Sequence, residues 1–468
     1  WYPDQNPASI KKYPATLLIG QNGYWGNDYC NVRHCTFVNS YIGIQINPNN
    51  GGGGCPNIND IWGTPLYEGV EIDMLGDVGR FDGMDFAASY WENSGLEGAP
   101  SVGQIDQWLY DNATGMVMRR NDWSYTCNFT VKGYKVGFHA QASPVQGRPN
   151  GHNYGFDFDG CQTGILVTST SGSGIMFADV NTPNCGTGID IQPGGEGPVQ
   201  FYGCKIGGRT AINMDADATS ALMLQDCEIT APTKVNGNQF QAVNNTFAAD
   251  VTVAPKARII FADNKFKGNA GLTNNSLFKC VVETSTGKTY PKLPTYEKSW
   301  MAIRTTTPAR KTLYVVTDPE FGAKPFTDIT IEPSTQPDCA PAIQKAIDKA
   351  AADGGGVVYL PTGHYPCRSE LTIPTGVELK GSADFPTAPK NHGAVLEVLT
   401  GEGNADGKPF INMAKGSGIR GISFNYPTQN TPLNVRPYPY TVPGNADCYI
   451  VNLALRTAYR ALDLFTNK

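Results

Sequence analysis

Short apolar runs recur along residues 155–268, and each run is followed by a turn. The aligned apolar positions are spaced by 19, 24, 23, 19 and 18 residues, and they are Phe158, Phe177, Phe201, Leu224, Val243 and Phe261. A loose period of this length without helical patterning is typical of a β-solenoid. One coil is too thin to bury its own apolar face, so coils stack about 4.8 Å apart and share a core. The sequence therefore predicts an all-β fold, a β-solenoid.

A second repeated feature is a Cys or Asn residue a few positions beyond most of these apolar residues. The members are Cys161, Asn181, Cys204, Cys227 and Asn264. Such positions are predicted to stack into an internal ladder, where Asn amides bond along the stack and Cys fills space as a small apolar residue. The alternative is a metal or redox site. Without any CxxC pair and with only five histidines, the sequence predicts no metal site.

The composition excludes several other classes of protein. Of the 468 residues, 40% are hydrophobic and 17% are charged, so charge-driven disorder is not expected. The 53 glycines and 33 prolines would break a long helical bundle repeatedly. The net charge is 36 − 42 = −6, the wrong sign for a non-specific nucleic-acid binder, so we expect no nucleic-acid partner. No apolar run approaches the ~20 residues of a membrane helix, so we expect no membrane span.

Low charge with abundant Gly, Asn and Thr favours an extracellular, secreted protein. The chain begins at Trp1 and not at a methionine, which indicates a processed product or a fragment.

The pattern changes after residue 284. Residues 285–325 are rich in Thr, Lys and Pro and are interpreted as a connector. A short capping helix is predicted near 340–352, with Asp338 as its N-cap and Gly354 at its end. Short strands follow. We therefore expect residues 1–284 to form the main body of a first parallel β-helix that lacks its N-terminal part, and residues 326–468 to form the N-terminal part of a second.

The two ends of the chain carry the same motifs. The run Tyr2-Pro3-Asp4-Gln5-Asn6 matches Tyr426-Pro427-Thr428-Gln429-Asn430 at an offset of 424 residues, and Tyr13-Pro14 matches Tyr438-Pro439 at an offset of 425. Two ordered motifs at nearly one offset indicate that the chain starts inside one unit and stops inside the next. We therefore expect a piece of a two-solenoid protein, with a further chain of the same protein completing both solenoids.

A family likeness covers about residues 318–381. It rests on Glu320-Phe321-Gly322-Ala323-Lys324, on the predicted helix, and on the run from Gly354-Gly355-Gly356 through Pro361-Thr362-Gly363-His364-Tyr365. This segment resembles the opening of pectate-lyase-like right-handed parallel β-helix proteins. The two-solenoid plan is similar to that of glycoside hydrolase family 55, the exo-β-1,3-glucanases. The resemblance implies the solenoid fold, with the helix as its N-terminal cap. Pro325-Phe326-Thr327-Asp328 departs from the usual acidic continuation, and the superfamily spans several reactions, so the reaction stays open.

Polysaccharide cleavage needs paired carboxylates, one to protonate the leaving oxygen and one to act as nucleophile or base. Residues i and i+2 of a strand point the same way, so a solenoid strand can present such a pair. Two pairs are predicted to be catalytic: Glu71 with Asp73, and Asp157 with Asp159. The alternative is that these carboxylates belong to solvated outer faces.

Residues 89–125 are dense in aromatic side chains and break the coil periodicity, as a loop inserted at a groove rim would. Sugars bind on aromatic platforms beside polar groups. Predicted substrate-binding residues are Tyr90, Trp91, Trp123, Arg119 and Arg120. The alternative is that the tryptophans pack the loop onto the solenoid.

These features favour a carbohydrate-active protein with a polysaccharide as its partner. A glycoside hydrolase acting on a glucan-like polymer is the leading hypothesis, and no cofactor is expected. A polysaccharide lyase acting on a uronate polymer is the nearest rival, in which case Ca²⁺ could be needed. A non-catalytic extracellular scaffold or adhesin is the hypothesis from another class.

Overall fold

The computed structural model describes residues 1–20, 30–48, 52–76, 78–290, 308–382, 393–429 and 435–465. The chain divides into two compact units, residues 1–293 and residues 294–468. The division falls within the segment that the sequence assigns to a connector.

The first unit is a parallel β-helix built on two long sheets, in which strands of successive coils pair in parallel. Sheet A has eleven strands: Ala15–Ile19, Ile42–Ile46, Glu68–Ile72, Thr114–Met118, Val136–Ala140, Thr163–Val167, Thr187–Ile191, Thr210–Met214, Thr233–Val235, Val251–Val253 and Leu272–Asn274. Sheet B has fifteen: Asn31–Phe37, Asn57–Gly63, Arg80–Phe86, Tyr125–Lys132, Gly151–Asp159, Ile175–Asn181, Val199–Tyr202, Lys205–Ile206, Ala221–Gln225, Glu228–Ile229, Gln239–Val243, Thr246–Phe247, Arg258–Ala262, Lys265–Phe266 and Val281–Glu283. A short pair joins Gly53–Gly54 to Leu75–Gly76. The predicted fold class is confirmed.

The core lies between the sheets, where alternate side chains of each strand meet. Phe177 and Phe201 are register partners on neighbouring coils, and their rings stack with centroids 5.1 Å apart. Three of the five predicted alignments are wrong. Phe177 pairs with Asn153 and not with Phe158, and both Leu224 and Phe261 pair with Ala242 and not with Val243. A one-residue slip exchanges the two faces of a strand, so the buried Ala242 and the partly exposed Val243 are easily confused in a sequence.

A hydrogen-bonded ladder runs inside the first unit. The backbone N–H of Cys204 donates to Sγ of Cys227 (3.4 Å), that of Cys227 to Oδ1 of Asn245 (2.8 Å), and that of Asn245 to Oδ1 of Asn264 (2.9 Å). Asn245 was missed in the sequence. Asn181, by contrast, was placed in the ladder but donates from its amide to a carboxylate on the outer face.

A row of left-handed residues crosses sheet B. One residue at the same register position of each coil has φ between 51° and 71°, and the ten members are His34, Asp60, Gly83, Asn128, Gly155, Asp179, Gly203, Asp226, Asn244 and Asp263. Only Gly, Asn, Asp and His occupy it, because these residues tolerate positive φ best. The row places a left-handed residue at one register position on ten successive coils, so the backbone changes direction at the same place on each of them.

One coil carries an insertion. Strand Glu68–Ile72 of sheet A is followed on the next coil by Thr114–Met118, a distance of 46 residues, whereas the following step to Val136–Ala140 takes 22. The inserted segment forms the helices α1 (Ser89–Glu92) and α2 (Asp106–Asn112).

The second unit begins another stack of parallel strands. A five-stranded sheet contains Leu313–Val315, Gly356–Leu360, Val377–Gly381, Gly418–Arg420 and Tyr449–Val451. A four-stranded sheet contains Gly363–Cys367, Ala394–Val398, Ile422–Asn425 and Ala454–Arg456, and two pairs join Leu371–Ile373 to Ile411–Met413 and Tyr440–Pro443 to Arg460–Asp463. A 3₁₀ turn covers Pro333–Thr335, and helix α3 covers Ala340–Ala352, as predicted. Ile343 and Ile347 of α3 are fully buried. The N-cap is Cys339 and not the predicted Asp338, which lies one residue earlier and accepts from the N–H of Ala340 at 3.1 Å.

The motifs repeated at the two ends form the same turn in each unit. Gln5 donates to the carbonyl of Lys11 and accepts from its N–H, both at 2.9 Å. Gln429 makes the same two bonds to Arg436, both at 2.8 Å. In each turn the paired tyrosine rings lie together, with centroids 4.4 Å apart at the first end and 4.8 Å apart at the second. The sequence match therefore reflects a shared local structure.

Candidate active site in the first unit

Strand Glu68–Ile72 brings two carboxyl groups, those of Glu68 and Glu71, to the outer side of sheet A, and Asp73 follows the strand directly. Val70 and Ile72 point into the core and are fully buried. Gly69 also faces inward, since a Cβ there would lie 2.4 Å from the Phe86 ring. Two consecutive inward residues leave Glu68 and Glu71 on either side of them at the outer face. The strand therefore departs from simple alternation at Gly69 and Val70, between the two glutamates.

Glu71 lies in a hydrogen-bonded network that spans four coils. Its Oε1 accepts from Nε of Arg119 at 2.6 Å, and its Oε2 accepts from Nε2 of Gln45 at 2.5 Å. Gln45 is the register partner of Glu71 on the preceding coil, and Arg119 follows the neighbouring strand on the next. With its amide oxygen turned towards Arg119, Gln141 accepts from both Nη atoms at 2.9 Å. Glu71 is only 7% exposed, so this charge-assisted pairing offsets its desolvation.

Glu68 and Asp73 hold their protons more tightly than an exposed carboxyl group does. Burial, with Glu71 adding a negative charge nearby, raises the pKa of Glu68 to about 7, and Arg119 opposes this only in part. Burial also raises the pKa of Asp73, against the effect of its bonds from Ser143 Oγ (3.0 Å) and the N–H of Met74 (2.8 Å). Asp73 is 1% exposed, so its carboxyl group does not face solvent and supports the site from within the fold.

His139 is a further titratable residue near this cluster, close enough for the charge of Arg119 to act on it. Its strand follows that of Arg119 on the next coil, and its Nε2 lies 3.0 Å from Oγ1 of Thr168. Burial, together with the positive charge of Arg119, lowers the pKa of His139 to about 4, so the ring is neutral at neutral pH.

Three of the sequence-predicted residues, Glu71, Asp73 and Arg119, therefore come together. Glu68, Gln45 and His139 were missed. The spacing Glu68-x-x-Glu71-x-Asp73 was visible in the sequence, but an i, i+3 pair is not expected to share a face of a regular strand. Gln45 and His139 come from other coils and carry no local signal.

The second predicted pair lies elsewhere, on sheet B. Phe156 and Phe158 point into the core, and Asp157 and Asp159 point outward, as the alternation predicts. Oδ1 of Asp157 accepts from Nδ2 of Asn181 at 3.0 Å. Oδ1 of Asp159 accepts from Nδ2 of Asn184 at 2.9 Å.

The predicted sugar-binding residues divide into exposed and buried groups. Trp123 is 43% exposed, and its ring lies 5.6 Å from that of His152, which lies 5.6 Å from the ring of Tyr125. The three rings form an aromatic platform on sheet B. Arg120 fixes the adjoining turn through the carbonyl of Leu75 (3.1 Å) and the carboxylate of Asp122 (2.9 Å).

Trp91 requires a correction. Its side chain is 0% exposed, and its Nε1 has no hydrogen-bond partner among the described residues. It packs α1 onto the solenoid and offers no face to a sugar. Tyr90 is half-buried and donates its hydroxyl to Asp85 at 2.9 Å. Burial and this bond raise the pKa of Tyr90 to about 12.

Comparison with known families supports the fold and a general class of activity. Residues 326–446 match the family described as rhamnogalacturonase A/epimerase, pectate lyase-like. The chain resembles the pectate lyase-like parallel β-helix proteins. This likeness points to a carbohydrate-active protein, for which a polysaccharide is a fitting partner. No curated protein matches the chain. The similarity to glycoside hydrolase family 55 stays a prediction.

Two searches of the described residues bear on metals and membranes. No group of three or more His, Cys, Asp or Glu side chains in these residues is placed to hold a metal ion. Within the same ranges, no helix has both the length and the apolar character that crossing a bilayer requires.

Proposed function

We propose that the protein is a secreted glycoside hydrolase that cleaves a glucan-like polysaccharide at the cluster of Glu68, Glu71 and Asp73. The observation that carries this proposal is the carboxyl group of Glu68, whose pKa of about 7 stands beside the ion-paired carboxylate of Glu71. Glycoside hydrolysis uses one carboxyl group that keeps its proton near neutral pH and one that is ionised. The different surroundings of Glu68 and Glu71 on one strand supply both kinds of carboxyl group.

The roles follow from the contacts. Glu68 donates its proton to the departing glycosidic oxygen, because its pKa of about 7 keeps the group protonated below neutral pH. Glu71 acts as nucleophile or as base, held in one orientation by Arg119 and Gln45. Asp73 is too deeply buried to meet substrate and keeps the end of the strand in place through Ser143.

The aromatic platform adjoins this cluster along the chain. Arg119 directly follows a strand of sheet A. Trp123 and Tyr125 come only a few residues later, where the next strand of sheet B begins. Aromatic faces beside polar groups suit the alternating apolar and hydroxyl faces of a sugar ring. We assign Trp123, Tyr125 and His152 to the binding of a glucan chain that extends from the cluster.

A panel of soluble glycans tests the proposal. The expected result is new reducing ends from a glucan without absorbance from unsaturated uronates, and loss of this activity in Glu68→Gln. Reducing ends together with that absorbance would identify a lyase, in which case addition of Ca²⁺ should be tried. Silence across the panel would favour a non-catalytic scaffold.

A further inference from the structure

A second site opens on the first unit, at the corner where strands of sheet B end and those of sheet A begin. This cleft encloses about 580 Å³, and its lining includes Asn181, Asn184, Lys205, Gly208 and Arg209. The volume is in the range of sites that hold small molecules. None of the lining residues belongs to the cluster around Glu71.

Lys205 and Arg209 bring two positive charges to this corner cleft. Both side chains are exposed, and neither forms an ion pair within the described part of the chain. The register partner of Lys205, Glu228, has its carboxylate 2.8 Å from Nζ of Lys267 instead. Lys267, and to a lesser extent the charge of Lys205, lower the pKa of Glu228, so the cleft holds two cations without a direct ion pair in the described residues. An exposed ammonium and an exposed guanidinium facing one cavity are the usual means of holding an anionic oxygen group.

Two carboxylates, Asp157 and Asp159, lie two coils before these cations. Asp157, Asn181 and Lys205 are consecutive register partners on three coils. At about 4.8 Å per coil, Lys205 lies roughly 9.6 Å along the solenoid from Asp157. The amides of Asn181 and Asn184 lie between the two charged groups and bond to Asp157 and Asp159. The corner thus presents hydrogen-bond acceptors at one end and cations at the other, with a net charge near zero.

We propose that this cleft binds an acidic saccharide. Lys205 and Arg209 hold its anionic group, a carboxylate or a sulfate ester, and Asp157 and Asp159 accept hydrogen bonds from hydroxyl groups of the adjoining ring. A free inorganic anion would use the cations alone and be repelled by the carboxylates. A neutral sugar would leave both cations without a partner. A ligand whose hydroxyl donors and anionic group lie about two coils apart uses all four groups.

Titration calorimetry on the full chain tests the proposal with three tetrasaccharide probes: a glucuronate-containing one, a sulfated glucan and an unsubstituted glucan. At least one acidic probe should bind more tightly than the unsubstituted one, and added salt should weaken it. Arg209→Gln and Lys205→Gln should each raise the Kd of that probe by about tenfold, since bonds to charged groups contribute at least that much. The probe that binds identifies the anionic group as carboxylate or sulfate.

Lys265→Gln is the matched control. Lys265 lies further along the same row of sheet B, on the coil after that of Thr246, and its side chain is exposed. This variant should bind the acidic probe as the native chain does. Equal binding of all three probes, or an equal loss in Lys265→Gln and Arg209→Gln, would overturn the proposal. Binding is measured directly, so the result does not depend on whether the Glu71 cluster cleaves glycans.

Discussion

Nε of Arg119 lies 2.6 Å from Oε1 of Glu71, although 48 residues separate them in the sequence. Stacking explains the contact, since their strands are neighbours on successive coils of sheet A. The insertion with α1 and α2 lies in the chain between the two residues and leaves this pairing intact. The solenoid therefore supplies a fixed frame for the carboxyl groups, while the inserted loop is free to shape what surrounds them.

Replacing Glu71 should abolish most of the proposed activity. Glu71→Gln keeps the size of the side chain but removes the nucleophile or base, so glucan hydrolysis should fall by about 10²–10⁴-fold. Release of reducing ends measures this effect, and thermal unfolding shows whether the fold survives with Arg119 unpaired. Asp179→Asn, a carboxyl change at an exposed position of sheet B, should leave the rate unchanged. If Asp157→Asn abolishes hydrolysis and Glu71→Gln does not, the catalytic assignment moves to sheet B.

The pH profile of hydrolysis should report on Glu68. Its pKa is raised to about 7, so the group is protonated below that pH and loses its proton above it. As the general acid it must be protonated, and kcat/KM should therefore decline as the pH rises through about 7. The residual activity of Glu68→Gln should lack this alkaline decline. A decline at the same pH in the variant would exclude Glu68 as the acid.

The row of left-handed residues predicts an unusual substitution pattern. Asp179 has φ of 54° and an exposed side chain. Asp179→Gly should leave stability nearly unchanged or raise it slightly, whereas Asp179→Val should destabilise the chain by about 1–2 kcal/mol, because a β-branched residue resists positive φ. Urea unfolding of the two variants provides the measurement. Similar stability of the two variants would show that this backbone conformation is not enforced.

The alternation of sheet B can be tested at two adjacent residues. Phe177 is fully buried and stacks on Phe201, while Met176 is partly exposed on the outer face. Phe177→Ala should cost about 3–5 kcal/mol through lost contacts and a cavity, and Met176→Ala should stay within about 0.5 kcal/mol. Denaturant unfolding of both variants checks the difference. Comparable losses would contradict the proposed division into inner and outer faces.

The sequence predicted the fold well because a period near 20 residues leaves few alternatives to a solenoid. It predicted the register less well. Short runs such as Gln241-Ala242-Val243 contain an apolar residue on each face, so their phase is decided by the neighbouring coils. The same limit explains why Asn245 was missed and Asn181 misplaced in the ladder: the left-handed residue of each coil shifts the phase within a strand.

The candidate site could be predicted only where it is local in the chain. Glu71 and Asp73 follow from one strand, but Glu68 does not, because the inward Gly69 breaks the alternation. Trp91 was assigned to sugar binding since aromatic residues cluster in its segment, and composition cannot distinguish a platform from a ring that packs a helix onto the core. The environment that raises the pKa of Glu68 comes from burial, which no sequence pattern displays.

The ten left-handed positions of sheet B also bear on how such a chain can change in length. Gain or loss of one residue within a strand would turn every following side chain inside out. Duplication or deletion of a whole coil would keep the line of bends continuous and merely add or remove one layer. A chain with this fold should therefore tolerate gain or loss of whole coils, and the cross-section of the solenoid should stay the same.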